Sequence, residues 1–135
     1  MPFYTLACRR PLPQNTRERI ANAVTDTHCS VTQAPPEFVN VAFMDGHPVR
    51  DGKDIGVIGN VRSGGNRDAS LLEKLQQEIH RNVAAAAEQN EESISVRLIG
   101  VPASWIMEGG EILPEPGSED AWLERQHGEK TKLNG

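Results

Sequence analysis

Aromatic residues make up only 4% of this 135-residue chain, and it has just two cysteines. Cys8 and Cys29 make no disulfide framework, and their separation fits no common zinc pattern, so both read as buried thiols. Lys and Arg number 14 against 19 Asp and Glu, for a net charge of -5. With no basic stripe interleaved with aromatics, nucleic acid is excluded as an expected partner. No run approaches the ~18 apolar residues of a membrane span, and the first residues lack the charged and long apolar regions of a secretion signal. These absences lead to the expectation of a cytoplasmic protein with no membrane association. What remains, 24% charged and 37% apolar residues, is ordinary for a globular protein, and the length suits one domain.

Apolar periodicity then gives the order of elements. Residues 2–8 are β-rich, and Pro2 is tolerated at the head of a strand because no earlier ladder bond is lost. From Asn15 to Val31, the residues Ile20, Val24, His28 and Val31 recur at helical spacing. Pro35-Pro36 stop that helix, and Phe38 to Met44 read as a second strand closed by Asp45-Gly46. The pattern repeats after the loop from His47 to Asp54. Ile55 to Val61 read as a strand, Leu72, Leu75, Ile79, Val83 and Ala86 mark one face of a helix over 68–88, and Ile94 to Gly100 read as a fourth strand.

Crossovers of this length join parallel strands. The expected class is therefore α+β: two consecutive βαβ units forming a four-stranded sheet with two helices on one face. The other sheet face would be left apolar and open, which predicts self-association. The chain divides into a single domain over 1–125, with a first unit at 2–45, a second at 54–101, and a short helix and extended tail at 102–125. Pro102 suits the start of that short helix and Gly109-Gly110 its end. The polar residues 126–135 read as a disordered tail.

Several polar residues carry possible chemistry. If the initiator Met1 is removed, as happens before small residues, Pro2 becomes a free secondary amine. An exposed α-amino group titrates at about 7.7 to 8.0, and an apolar or cationic setting lowers that value, so a buried Pro2 amine suits proton transfer near neutrality. His28 shares a face with Ile20 and Val24, so it is either a satisfied core or interface histidine or a functional group. Its neighbour Cys29 diverges from it by about 100° around the helix, which sets aside a nucleophile-and-base pair. Arg62 and Arg67 flank the Gly64-Gly65 turn, which is either an anion cradle or a solvated loop. Glu108 among Trp105, Ile106 and Met107 is either a partly desolvated acid or base or a surface carboxylate. Asp45, Asp51 and Asp54 with His47 match no metal-ligand pattern. No metal and no cofactor are expected.

Taken together, Pro2, the doubled βαβ order, Thr25-Asp26-Thr27-His28, Arg67 and the tail Pro102-Ala103…Met107-Glu108-Gly109-Gly110…Leu113-Pro114-Glu115-Pro116-Gly117 resemble the tautomerase superfamily, and within it the cis-3-chloroacrylic acid dehalogenase group. The resemblance covers residues 2 to about 125 and is poor over the loop from His47 to Asp54. It implies a homotrimer in which Pro2 is the catalytic amine, His28 and Arg67 hold a substrate carboxylate, and Glu108 activates water. A second family arginine falls at Gly64, so Arg62 replaces it only if the loop runs differently. A family tyrosine falls at Arg97, which is itself able to contact an anionic substrate. The implied activity is acid/base chemistry on small unsaturated or 2-keto carboxylic acids, either hydration or hydrolytic dehalogenation, with possible tautomerisation. The alternative is a non-catalytic domain of the same fold that binds small carboxylates or a protein partner.

Overall fold

The computed structural model describes residues 1–46 and 49–133. The chain forms β1 (Phe3–Cys8), α1 (Gln14–Thr32), β2 (Asn40–Asp45), β3 (Ile55–Ser63), α2 (Ala69–Ala87), β4 (Ile94–Pro102), β5 (Met107–Glu108), β6 (Glu111–Ile112) and α3 (Glu119–Leu133). Strands β1 to β4 make one sheet in the order β2-β1-β3-β4. The pairs β1/β2 and β3/β4 are parallel, as two βαβ crossovers require, and the two units join through an antiparallel β1/β3 pair.

Strand alternation divides the sheet into two faces. Tyr4, Leu6 and Cys8 of β1 and Ile55, Val57 and Val61 of β3 are buried, and they meet Ile20 and Val24 of α1 and Leu75, Ile79 and Val83 of α2. Pro13 precedes α1. Asp68 caps α2, its carboxylate accepting a hydrogen bond from the Leu71 N–H at 2.9 Å. Between the helices, the Asn82 side-chain amide donates to the Thr27 hydroxyl at 2.8 Å, and that hydroxyl in turn donates to the Ala23 carbonyl. On the opposite sheet face Phe3, Met44, Ile58 and Ile99 remain 40–48% exposed, the open apolar face that two helices on one side leave behind.

Three boundaries differ from the sequence expectation in ways that matter for the site. Strand β3 runs on to Ser63, so Arg62 lies at the end of a strand rather than in the following turn. The expected short helix at 102–110 is a single 3-10 turn, Ala103–Trp105, followed by a hairpin of β5 and β6. Gly109 and Gly110 have φ of 58° and 83°, and two successive left-handed residues make the tight turn that matches strand twist rather than a helix end. Glu108 therefore projects from a hairpin strand. The extended tail ends at α3, which runs through Leu133 where a disordered segment at 126–135 is expected. Its Glu, Gln, Arg and Lys residues are good helix formers, but they give no apolar stripe for a periodicity argument to find.

The β1/β3 register sets Tyr4 opposite Gly59. A methyl group on Gly59 would sit 2.6 Å from Tyr4 Cε1 and 2.7 Å from Leu98 Cδ2. The tyrosine ring thus lies across bare backbone, which a side chain on residue 59 would prevent. Gly59→Ala is expected to destabilise the fold by about 1–3 kcal/mol through overpacking, read as a lower urea midpoint. An unchanged midpoint would show that Tyr4 has room to move.

Candidate functional site

The buried end of the site starts at Tyr4 and His28, both with no solvent exposure. Strand alternation turns Tyr4 toward α1, and the helical period turns His28 toward the sheet, so hydroxyl and imidazole meet. Tyr4 Oη lies 2.7 Å from His28 Nδ1, and the rings pack edge to face at 5.7 Å between centroids. Burial raises the Tyr4 pKa well above its usual value despite the opposing charge of Arg67, so the phenol keeps its proton. For His28, burial first, then the positive charges of Arg67, the N-terminal amine and Arg62, pull the pKa down to about 3. The imidazole is neutral at pH 7.

A neutral imidazole has one donor and one acceptor nitrogen. The Tyr4 hydroxyl has no partner other than Nδ1 among the described residues, so it donates there and the proton of His28 sits on Nε2. That Nε2–H is buried and has no protein acceptor. Nη1 of Arg67 and Nε of Arg62 are in the same condition. Buried donors without acceptors are costly, and the groups are close: the charges of Arg67 and Arg62 bear on the ionisation of His28, and that of Arg62 on Arg67. Burial, followed by the charge of Arg62, lowers the Arg67 pKa. The cluster has the chemistry of an anion site.

The two arginines come from the ends of one turn. Arg62, 6% exposed, ends β3 and donates from Nη1 to the Pro114 carbonyl at 2.6 Å and from Nη2 to Glu119 Oε1 at 2.9 Å. Arg67, 4% exposed, closes the turn by exchanging backbone hydrogen bonds with Gly64, just before the Asp68 cap of α2. Gly64 has φ of 94°, and a Cβ there would lie 2.9 Å from a Glu115 carboxylate oxygen. An arginine does not fit at residue 64 of this turn. Arg62 is the second guanidinium near Arg67.

Pro2 is buried at the head of β1, where its carbonyl accepts the Asn40 backbone N–H at 3.1 Å. The amine of Met1 donates to Glu108 Oε1. The hairpin thus brings the Glu108 carboxylate against the residue that immediately precedes Pro2. A cavity of about 220 Å³ opens beside them, with Met1, Arg62, Glu108 and Glu119 in its wall. Pro2, His28 and Arg67 are not part of that wall.

Of the candidates in the sequence, Pro2, His28, Arg62, Arg67 and Glu108 gather at this end of the sheet, and Arg97 does not. Arg97 is exposed and pairs in register with Ile58, on the face turned away from the helices. A strand period of two places it on the sheet face opposite Tyr4 and Gly59. Cys8 and Cys29 are held as thiols, mainly by burial, with Cys8 pushed up to about 11. His47 lies outside the described residues, and among those no group of three potential metal ligands occurs. Two residues with no signal in the linear sequence join the site. Tyr4 is visible only as a partner of Pro2 on one strand face, and Glu119 only through its long-range contact with Arg62.

If His28 sets the stability of this end of the sheet, its depressed pKa has a definite sign. Below its normal value of about 6.5 the unfolded chain binds a proton on His28, which the folded chain refuses until about pH 3. Stability therefore falls as pH drops through that window. The urea midpoint should be lower at pH 5 than at pH 7, with a flatter dependence in His28→Gln. Equal slopes in both proteins would contradict the burial of a neutral imidazole.

No family model and no curated protein sequence matches the chain. Solved structures do. The crystal structure of N1, a member of the cis-3-chloroacrylic acid dehalogenase family, is 28% identical, with 89% of each chain covered and a TM-score of 0.77. A wild-type fused 4-OT asymmetric trimer is 13% identical, over 82% of this chain and 94% of that one, with a TM-score of 0.68. Pt0534 inactivated by 2-oxo-3-pentynoate is 18% identical, over 82% and 94%, with a TM-score of 0.67. The doubled βαβ sheet and these likenesses give the chain the tautomerase fold, and over 89% of its length it is similar to a member of the cis-3-chloroacrylic acid dehalogenase family.

Proposed function

We propose that this chain is an enzyme that uses the Pro2 amine, freed by removal of Met1, as a general acid/base on small unsaturated or 2-keto carboxylic acids. The observation that carries the reading is the set of buried donors without acceptors, His28 Nε2–H, Arg67 Nη1 and Arg62 Nε, at the chain end where that amine would stand. A substrate carboxylate would satisfy them with charge-assisted hydrogen bonds. The inactivation of the structural neighbour Pt0534 by a 2-oxo acid is in keeping with this substrate class.

Met1 is a wall of the cavity, so its removal both exposes a secondary amine and opens a path toward His28 and Arg67. The amine then works in either of two directions. As a base it takes the enol proton of a 2-keto acid and returns it to carbon, which is tautomerisation. As an acid it gives a proton to the α-carbon of an unsaturated acid while Glu108 takes a proton from the water that attacks the β-carbon, which is hydration. With a halogen on the β-carbon, the hydrated product loses halide and its hydroxyl proton as the C–O bond becomes a carbonyl. Neutral His28 acts as donor only, positioning the acid through Nε2–H without taking its proton.

The open apolar face of the sheet, with Phe3, Met44, Ile58 and Ile99 exposed, and the trimer formed by the fused 4-OT neighbour support assembly of this chain as a homotrimer. Light scattering at micromolar concentration would return three chain masses, and a single chain mass would refute the assembly. A second reading, a carboxylate-binding domain without catalysis, follows if Met1 is retained, since its amine already pairs with Glu108 and Pro2 is then an amide.

Intact-mass measurement separates the two, because the enzyme reading requires a chain lacking Met1. In that chain Pro2→Ala should lower kcat by about 10²-fold or more with the fold intact, in line with a positioned acid or base. Arg67→Ala should raise KM by about 10- to 100-fold, as loss of a charged hydrogen bond predicts. Unchanged kcat in the first variant would remove Pro2 from the chemistry.

A further inference from the structure

Resting on the carboxylic-acid reading above, we infer that the C-terminal segment makes this site selective for monocarboxylic acids whose end remote from the carboxylate is apolar and about the size of a ring. The cavity beside Met1 measures about 220 Å³. At about 30 Å³ per water, that is the space of about seven waters, more than a three-carbon acid fills. Four apolar side chains from three parts of the fold line it: Phe38 after α1, Leu113 after the hairpin, and Trp122 and Leu123 of α3.

That apolar wall is fixed in place. The Trp122 indole N–H donates to the Ile112 carbonyl at 3.1 Å, tying α3 to the hairpin. Leu113 is 7% exposed, and its N–H donates to the Ile106 carbonyl at 3.0 Å. The tail also folds over the arginine turn, where the Asn66 N–H donates to the Pro116 carbonyl at 3.2 Å.

Charge decides between one carboxylate and two. Arg62 already has a counter-ion, Glu119, whose second oxygen accepts the Gly117 N–H at 2.8 Å. Burial raises the Glu119 pKa, but hydrogen bonds from its own backbone N–H, Arg62 and Gly117 outweigh burial and hold it below the usual carboxylate value. Arg67 has no carboxylate partner among the described residues. One unmatched guanidinium suits one carboxylate, and the Glu119 and Asp120 carboxylates in the cavity wall oppose a second.

Calorimetry with the chain lacking Met1 and three unreactive acids tests this: propanoate, 3-phenylpropanoate and pimelate. The phenyl acid should bind at least about tenfold more tightly than propanoate, given about fourfold per buried methylene. Trp122→Ala should shrink that ratio to within about twofold, and Phe38→Ala on the other wall does the same should Trp122→Ala fail to fold. Pimelate should bind more weakly than 3-phenylpropanoate and gain in Glu119→Gln. Equal binding of propanoate and the phenyl acid, or tightest binding of pimelate, would overturn the inference. The expected binding order without turnover of any unsaturated or keto acid would keep it and overturn the catalytic reading. Turnover with a flat binding order would do the reverse, and no binding of any acid would overturn both.

Discussion

The hydrogen bond between Tyr4 and His28 is the constraint on which the rest of this site depends. It joins the first strand to the first helix inside the core, where neither group meets water. Burial keeps the phenol protonated and the imidazole neutral, and the phenol proton has no other partner among the described residues, so Nδ1 accepts and Nε2 carries the proton. The core side of α1 thereby holds a fixed donor aimed away from Tyr4. Bare backbone at Gly59 is what lets the tyrosine ring lie where this bond requires. A core contact and a site contact are here the same atoms, so packing and chemistry are not separable at this end of the sheet.

Around that donor the fold collects positive charge and then limits it. Two guanidiniums flank one short turn, and each depends on different support. Arg67 is set by the turn and the α2 cap behind it, whereas Arg62 is held by the C-terminal segment through Pro114 and Glu119. Burying like charges together is unfavourable unless each finds a partner. Glu119 supplies one partner, and in the proposed function the substrate carboxylate supplies the other. Tail, turn and N-terminus are thus linked by electrostatics as well as by packing.

Much of the fold was legible in the sequence because its signals are local. A period of two in β1 and β3 and a period near 3.6 in α1 and α2 identify which residues face the core, and crossover length gives the doubled βαβ order. The tail resisted this reading for physical reasons. Trp105 to Glu108 read as the end of a helix, yet Gly-Gly is also a favoured pair for a two-residue hairpin turn, and Gly109-Gly110 adopt that turn here. Helix α3 carries Trp122 and Leu123 in its first turns but no apolar residue that repeats them at helical spacing, so periodicity is silent about it. In the site, Pro2, His28, Arg62, Arg67 and Glu108 were all identifiable as candidates. Arg97 was drawn in by resemblance, although counting residues along β4 against β3 places it on the other face. The Arg62–Glu119 pair spans the chain from the end of β3 to α3, a distance no local pattern encodes.

The central claim is that a proline amine stands where these donors bind a carboxylate. NMR titration of the chain lacking Met1, labelled with ¹⁵N at proline, addresses it directly. The Pro2 amine signal should show one ionisation, its midpoint should shift when a small carboxylic acid is added, and Arg67→Ala should abolish the shift. A Pro2 signal that ignores the added acid, in a chain shown by its mass to lack Met1, would rule out a proline amine at the carboxylate site.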